Sequence, residues 1–400
     1  GKAFTLSNSL VSDNGVGIKV SSHSIDGIFN ITNNIISNNS GRAIDGSYSW
    51  AKWTLNGNSI KSNGSNGDHV LYFDYSYNIS FTNNEILDNA GGINIYAVQD
   101  DLIFTGNTLS NNKDNDMMMS GGLSISSWAS EGDWMTDSIV IEDNIIDDNS
   151  QTGIYLSQSG NADPAINRNK VRNNSGHGIY VDSQNHNTQP SIHNNEITGN
   201  GLNGWGQAGL YVSGKAVPSI VGNTIDNNDS GIYVNYNDVN GNGDFELKDN
   251  LITNNQGYGI SVNGYAKPVI NDNDIYGNTG YALENHTSFT VDAKNNWWGV
   301  DDSAEINEGA NPKALSFIYD GNTDGNAGKV NYAGWLSFSV QDQTPPVTSL
   351  SSRSIISSLS FEITLSCNDD VGGVSSGCSK TYYTIAGSEP TTNSVLYEGV

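Results

Sequence analysis

The sequence predicts an all-β fold: a right-handed parallel β-helix of about eleven coils over residues 1–340, a linker at 341–347, and a small, incomplete β-sandwich over 348–400. Three observations predict it. An Asn followed two residues later by an aliphatic residue recurs at steps of roughly 25 residues, the length of one solenoid turn. Most repeats carry a second phrase, Gly-aliphatic-x-aliphatic. The chain holds 45 Gly yet also 19 Tyr, 10 Phe and 8 Trp, so it turns often and still packs something.

The first phrase reads Asn8/Leu10, Asn34/Ile36, Asn58/Ile60, Asn84/Ile86, Asn107/Leu109, Asn144/Ile146, Asn169/Val171, Asn195/Ile197, Asn223/Ile225, Asn250/Ile252 and Asn273/Ile275. The second includes Gly17-Ile18-Lys19-Val20, Gly92-Ile93-Asn94-Ile95, Gly153-Ile154-Tyr155-Leu156, Gly178-Ile179-Tyr180-Val181 and Gly259-Ile260-Ser261-Val262. Alternation with period two means strands with one buried face, and these runs are too short for helices. Each coil buries a few aliphatic side chains, and stacked neighbours at ~4.8 Å complete the core, giving a rod of roughly 50 Å. Asn tolerates left-handed backbone at sharp corners. Repeated at one corner, its amide can donate and accept in a ladder. Gly ahead of each Ile run lets the chain turn without a Cβ clash.

The step from Asn107 to Asn144 is longer than the rest and implies an insertion of about a dozen residues. Either 113–119 or 126–138 is the excursion; the second carries Trp128, Glu131, Asp133 and Trp134. Loops on a rigid scaffold are where binding usually sits. Pro345-Pro346 marks the linker. Neither end shows an obvious cap, so a longer polypeptide is expected.

The net charge of −26, from 43 acidic and 17 basic residues, excludes nucleic acid as a partner. It also opposes direct binding of acidic polysaccharides unless a cation bridges the two. A solvated acidic surface and attraction of calcium both fit this charge. No apolar run approaches the ~20 residues of a membrane span, so no membrane insertion is expected.

The phrases Asn-x-Ile and Gly-Ile-Tyr-Val resemble the repeats of the pectin-lyase-like superfamily over about residues 1–340. The resemblance implies the fold but little about function, because that fold hosts lyases, hydrolases, epimerases, tailspikes and adhesins. Asn295-Asn296-Trp297-Trp298-Gly299, with Gly328 to Leu336, resembles the closing segment of surface-exposed proteins of this type. That implies that Trp297, Trp298 and Trp335 plug the last coil. The stretch from Thr381 to Thr391 is similar to the immunoglobulin-like modules at the C-terminus of chitobiase-type secreted enzymes, which continue for further strands. A Cys367–Cys378 disulfide suits an oxidising compartment, with two free thiols as the alternative.

Catalytic sets of the superfamily are poorly matched. Pectate lyases use carboxylate-held calcium and an Arg base, but the only arginines are Arg42, Arg168, Arg172 and Arg353, and no Arg-x-Pro-x-x-Arg stretch occurs. Gly176-His177-Gly178 and Asn322-Thr323-Asp324 resemble polygalacturonase motifs in reversed order, about six coils and roughly 30 Å apart. The repeat itself explains both glycines. Asp147, Asp148, Asp182 and Asp226 remain as carboxylates for a generic acid/base pair.

Calcium is the expected cofactor. The run from Asp238 to Asp249 sets Asp238, Asn240, Asn242, Asp244 and Asp249 at the odd and twelfth positions of an EF-hand-like loop, with Gly243 at the sixth. It resembles the calcium loop of dockerins, but a strand rather than a helix follows. Asp320, Asn322 and Asp324 form a weaker candidate with no acidic twelfth position.

Tyr155, Tyr180, Tyr211 and Tyr233 occupy the outward position of Gly-Ile-Tyr-Val in four consecutive coils, a strip about 15 Å long. Stacked tyrosines can offer a platform to sugar rings, with Trp205 beside them, or simply stack on each other. The function expected is a non-catalytic structural or adhesive segment of a large secreted or cell-surface protein. It would be calcium-stabilised, and would contact an extracellular polysaccharide or sister subunits in a filament. The alternative is a polysaccharide lyase or glycoside hydrolase acting on an extracellular polysaccharide.

Overall fold

The structure, a computed structural model, describes residues 3–20, 27–47, 49–65, 69–113, 122–127, 136–158, 162–184, 187–202, 206–340, 347–357, 360–368, 381–383 and 395–397. Three parallel sheets lie within residues 3–331. The first has 13 strands, from Ala3–Ser7 to Val330–Asn331. The second has 11, from Leu10–Ser12 to Asp274–Tyr276, and the third has 12, from Ile18–Lys19 to Ile318–Tyr319. Every strand pairs in parallel with its counterpart one coil later, so the eleven strands of the second sheet define ten turns of a β-solenoid.

Each coil turns the same residues inward. Ile166 of the first sheet, Val171 of the second, and Ile179 and Val181 of the third are fully buried; Ile192, Ile197, Leu210 and Val212 repeat them one coil on. Each such side chain contributes roughly 1.5–3 kcal/mol on burial, and none could bury itself without the coils above and below.

The corners carry two asparagine ladders, one on each side of the second sheet. In the first, from Asn34 to Asn296, Asn169 is typical. Its backbone N–H and its Nδ2 both donate to Oδ1 of Asn195 (2.9 and 3.1 Å), and Nδ2 also donates to the Ile141 carbonyl at 2.8 Å. The second ladder, from Asn14 to Asn278, repeats this geometry, as in Asn174 to Asn200 (3.0 Å). The sequence predicts one ladder with the left-handed residue at the repeated Asn; the structure has two ladders and sets the left-handed residue one position earlier. The ladder asparagines have ordinary backbone; the residue before each one has positive φ, as at Asn33, Asp143, Arg168 and Asn194. Asn8, with φ of 49°, is such a corner residue, and Ser9 takes the place of the ladder asparagine there by donating to Asn34. Gly153 is needed for close approach, not for a left-handed corner. A Cβ there would stand 2.6 Å from Val171 Cγ1 and 2.8 Å from the Gly178 carbonyl.

The long step leaves the stack unbroken. Leu123–Ser127 pairs in register with Ile93–Tyr96 before it and Ile154–Gln158 after it. The extra length therefore falls on both sides of that strand, within 113–123 and 127–136, rather than in one excursion. Trp128, Glu131, Asp133 and Trp134 lie outside the described residues.

The closing segment buries Trp298 completely against Phe317 (5.6 Å) and sets Trp297 beside Tyr276 (4.8 Å), while Trp335 packs partly buried on the core. The tryptophans are structural, as expected. The helix Val300–Asn307 was not foreseen; it contributes Ile306 to the core. Towards the C-terminus, Val347–Ser357 pairs antiparallel with Ser360–Asn368, and Thr381–Tyr383 with Val395–Tyr397. Cys367 lies opposite Thr348, and Cys378 lies outside the described residues.

Candidate functional site: an outer strip on the third sheet

The outer face of the third sheet presents two parallel rows set by strand register. One runs Asn94, Ser124, Tyr155, Tyr180, Tyr211, Tyr233, Ser261, Glu284. The other, two residues further along each strand, runs Tyr96, Ser126, Ser157, Asp182, Ser213, Asn235, Asn263. Period-two alternation forces both rows outward while Ile, Leu and Val between them enter the core.

The four tyrosines stand directly over one another. Ring centroids are 5.0, 4.7 and 4.6 Å apart along the row, with interplanar angles of 21°, 5° and 12°. That spacing matches the ~4.8 Å between strands, so each ring covers the face of the next. A sugar ring cannot lie flat on the middle of this stack. What the strip offers outward is the edge of the rings with their hydroxyls. The Tyr155 hydroxyl lies near Ser157, that of Tyr180 near Ser213, and those of Tyr211 and Tyr233 near each other. Trp205 lies outside the described residues.

Asp182 stands in the second row, beside the tyrosines, and is 7% exposed. The Ser213 hydroxyl donates to its Oδ1 at 2.8 Å, and the Gln184 amide donates to Oδ2. Burial raises the Tyr155, Tyr180 and Tyr211 phenols above their ordinary value, with the Asp182 charge adding to it; Tyr211, on which Tyr233 and Tyr180 act more strongly than Asp182, is pushed up to about 12. The strip is therefore a row of neutral hydroxyls beside one buried carboxyl group.

His177 closes one side. Its ring lies 5.3 Å from Tyr180 and 4.8 Å from Tyr211, and its Nδ1 accepts from the Ala208 N–H at 3.0 Å. Burial pushes its pKa down to about 4, so it is neutral with Nδ1 already engaged. It props the tyrosine row. Asn322, Thr323 and Asp324 belong to the closing segment and are not near it in the fold.

The remaining sequence candidates do not converge. Asp147 and Asp226 share the outer row of the second sheet, with Arg172 and Thr198 between them. Three steps make roughly 14 Å, beyond the span of a glycosidase pair. Asp147 pairs with Arg172 at 3.2 Å, and Asp226 accepts from Asn254 at 3.0 Å. Asp148 is a corner residue with φ of 53°, and Asp182 is on another sheet. Arg168 is held by Glu142 (2.7 Å) and Asp143 (2.9 Å).

In the 238–244 loop, Asp238 accepts from the Asn240 N–H (3.0 Å) and pairs with Lys215 (3.2 Å). Asp244 opens the strand Asp244–Lys248, and that extended run carries Asp249 about 16 Å further on, to a left-handed corner. Asp249 is thus too far to complete a ligand set with Asp238, Asn240 and Asn242. The loop's glycines have a packing reason: a Cβ at Gly243 would meet the Tyr265 carbonyl at 2.5 Å and the buried Tyr236 ring at 3.0 Å. Asp320 is buried and accepts from the Asn322 N–H and Nδ2 and from the Val330 N–H (2.8, 3.0 and 2.8 Å), while Asp324 accepts from Tyr319 and Asn326. Among the described residues, no three or more His, Cys, Asp or Glu side chains gather where they could hold a metal ion.

No helix among the described residues is long and apolar enough to cross a membrane. No curated protein and no solved structure matches the chain. The family model for the right-handed β-helix region matches residues 1–132 and 134–298, well over half of the sequence. With its three parallel sheets and the coil-long repeat of Asn and aliphatic positions, the chain belongs to the right-handed β-helix family.

Proposed function

We propose that the chain is a rigid, non-catalytic segment of a secreted or cell-surface protein, and that it contacts an extracellular glycan along the outer strip of its third sheet. One observation carries the reading: four tyrosines in strict register, alongside a parallel row of Ser, Asp and Asn. Such a strip offers donors and acceptors at a fixed ~4.8 Å pitch, which suits the hydroxyl-rich edge of an extended polysaccharide. The two ladders keep that pitch rigid. The pectin-lyase-like resemblance and an immunoglobulin-like module at 348–400 fit the same extracellular setting.

The test is a panel of purified glycans, with and without calcium, scored for both binding and cleavage. Binding without cleavage, lost in Tyr180→Ala and Tyr211→Ala, is the expected result. Release of unsaturated or reducing ends would overturn the non-catalytic part of the reading and favour a lyase or hydrolase.

A further inference from the structure

Resting on the glycan reading of the third sheet, we infer that the ligand is a polysaccharide carrying free ammonium groups, an amino sugar polymer, rather than a neutral or uronic-acid chain.

Cations are sparse on this face, where Arg42 reaches the Tyr72 ring (4.4 Å) four coils before Tyr180. The first strand of the third sheet holds Lys19, and the eleven strands that follow it contain no Lys or Arg. The other two faces are different: Lys61, Lys170 and Arg172 lie on strands of the second sheet, and Lys52, Lys248 and Lys267 on strands of the first. Lys215, at the corner just past the tyrosine strip, is paired with Asp238.

Negative charge stands on the same face. Asp182, buried and accepting from Ser213 and Gln184, stands in the row beside the tyrosines, and Glu284, 3.2 Å from the His286 imidazole, continues the tyrosine row beyond Ser261. Four coil steps separate the Tyr180 level from Glu284, roughly 19 Å. Between them the rows offer oxygen acceptors: phenol hydroxyls, Ser213, and the amides of Asn235 and Asn263. An ammonium group has three donors and no acceptor, so it is satisfied by such a surface. A uronate has only acceptors in its carboxylate and would face the Asp182 and Glu284 carboxylates, with the His286 imidazole beside Glu284 as the one basic group paired with either of them among the described residues. The net charge of −26 adds long-range attraction of the same sign.

The discriminating experiment measures binding of the whole chain to glucosamine oligomers, their N-acetylated counterparts and oligogalacturonate, at low and at moderate salt. Acetylation keeps the sugar skeleton and removes the charge. The amine oligomers are expected to bind at least about tenfold more tightly than the acetylated ones, with affinity falling as salt rises. Asp182→Asn and Glu284→Gln are each expected to weaken amine binding several-fold and to reduce binding of acetylated oligomers much less. Glu284→Gln carries this test alone should Asp182→Asn fail to fold. Equal binding of acetylated and free oligomers, or preference for oligogalacturonate, sinks the ammonium inference while the glycan reading stands. Binding of no glycan in the panel sinks both.

Discussion

The side-chain amide of Asn107 donates to Oδ1 of Asn144 at 3.1 Å across 37 residues of chain, and Asn144 donates to Asn169 at 2.9 Å across 25. The ladder is indifferent to how much chain lies between its rungs. Coil length is free to vary because register is enforced at the corners, where each amide meets the next.

Removal of one rung tests that enforcement. Asn169→Ala leaves the Asn144 N–H and amide without their acceptor and the Ile141 carbonyl without a donor, all of them buried. At roughly 1–3 kcal/mol for each buried polar group stranded, a loss of at least about 3 kcal/mol is expected. Urea unfolding measures it. An unchanged midpoint would mean that the ladder bonds are exchanged for equally good ones.

Alkaline titration reports on the tyrosine stack. The Tyr211 phenol is raised to about 12, chiefly by burial, against an ordinary value of 10.0. The folded state thus holds its proton more tightly than the unfolded chain does. The stability this confers is complete below pH 10 and is lost as pH rises towards 12. Tyr211→Phe is expected to keep the stack and flatten that alkaline loss; identical alkaline unfolding of both proteins would refute the assignment.

His177 gives the opposite sign at the acid end. Burial lowers its pKa from 6.5 to about 4, so the unfolded chain takes up the proton first. Its contribution is present above pH 6.5 and disappears as pH falls through about 4. Imidazole signals followed by NMR should show one histidine that stays neutral at pH 5. Full protonation of all six by that pH would contradict the packing against Tyr180 and Tyr211.

Asp302, in the first turn of the helix Val300–Asn307, is raised to about 6 by burial and by neighbouring Glu305 and Asp301. A raised carboxyl favours the folded state below pH 3.8 and loses that advantage as pH passes 6. Asp302→Asn is therefore expected to stabilise the chain at pH 7, by no more than about 1 kcal/mol after solvent screening, and to change little at pH 4. Thermal melts at the two pH values check the difference; destabilisation at pH 7 would count against it.

The coil count, the inward aliphatics and the four-tyrosine row were legible in the sequence, because each depends on a spacing that repeats. The phrase around Asn34 also contained the second ladder: Asn39 follows five residues on, as Asn174 follows Asn169. Spacing alone does not separate Asn38 from Asn39, which are chemically alike, although only Asn39 joins the ladder while Asn38 takes the left-handed corner. The helix at Val300–Asn307 has no repeat to announce it.

The sequence by itself determined the pitch of the winding and which residues of each strand share a face, since period-two alternation within a coil and a near-constant coil length leave few alternatives. Only the tertiary structure decided what the shared face can do. Whether the tyrosines lie open to a ligand or cover one another depends on ring orientation across coils. The charge beside them comes from Asp182, a residue that is one carboxylate among 43 until stacking sets it against three phenols. Those are contacts between residues a full turn apart, and their geometry follows from side-chain packing that spacing alone leaves free.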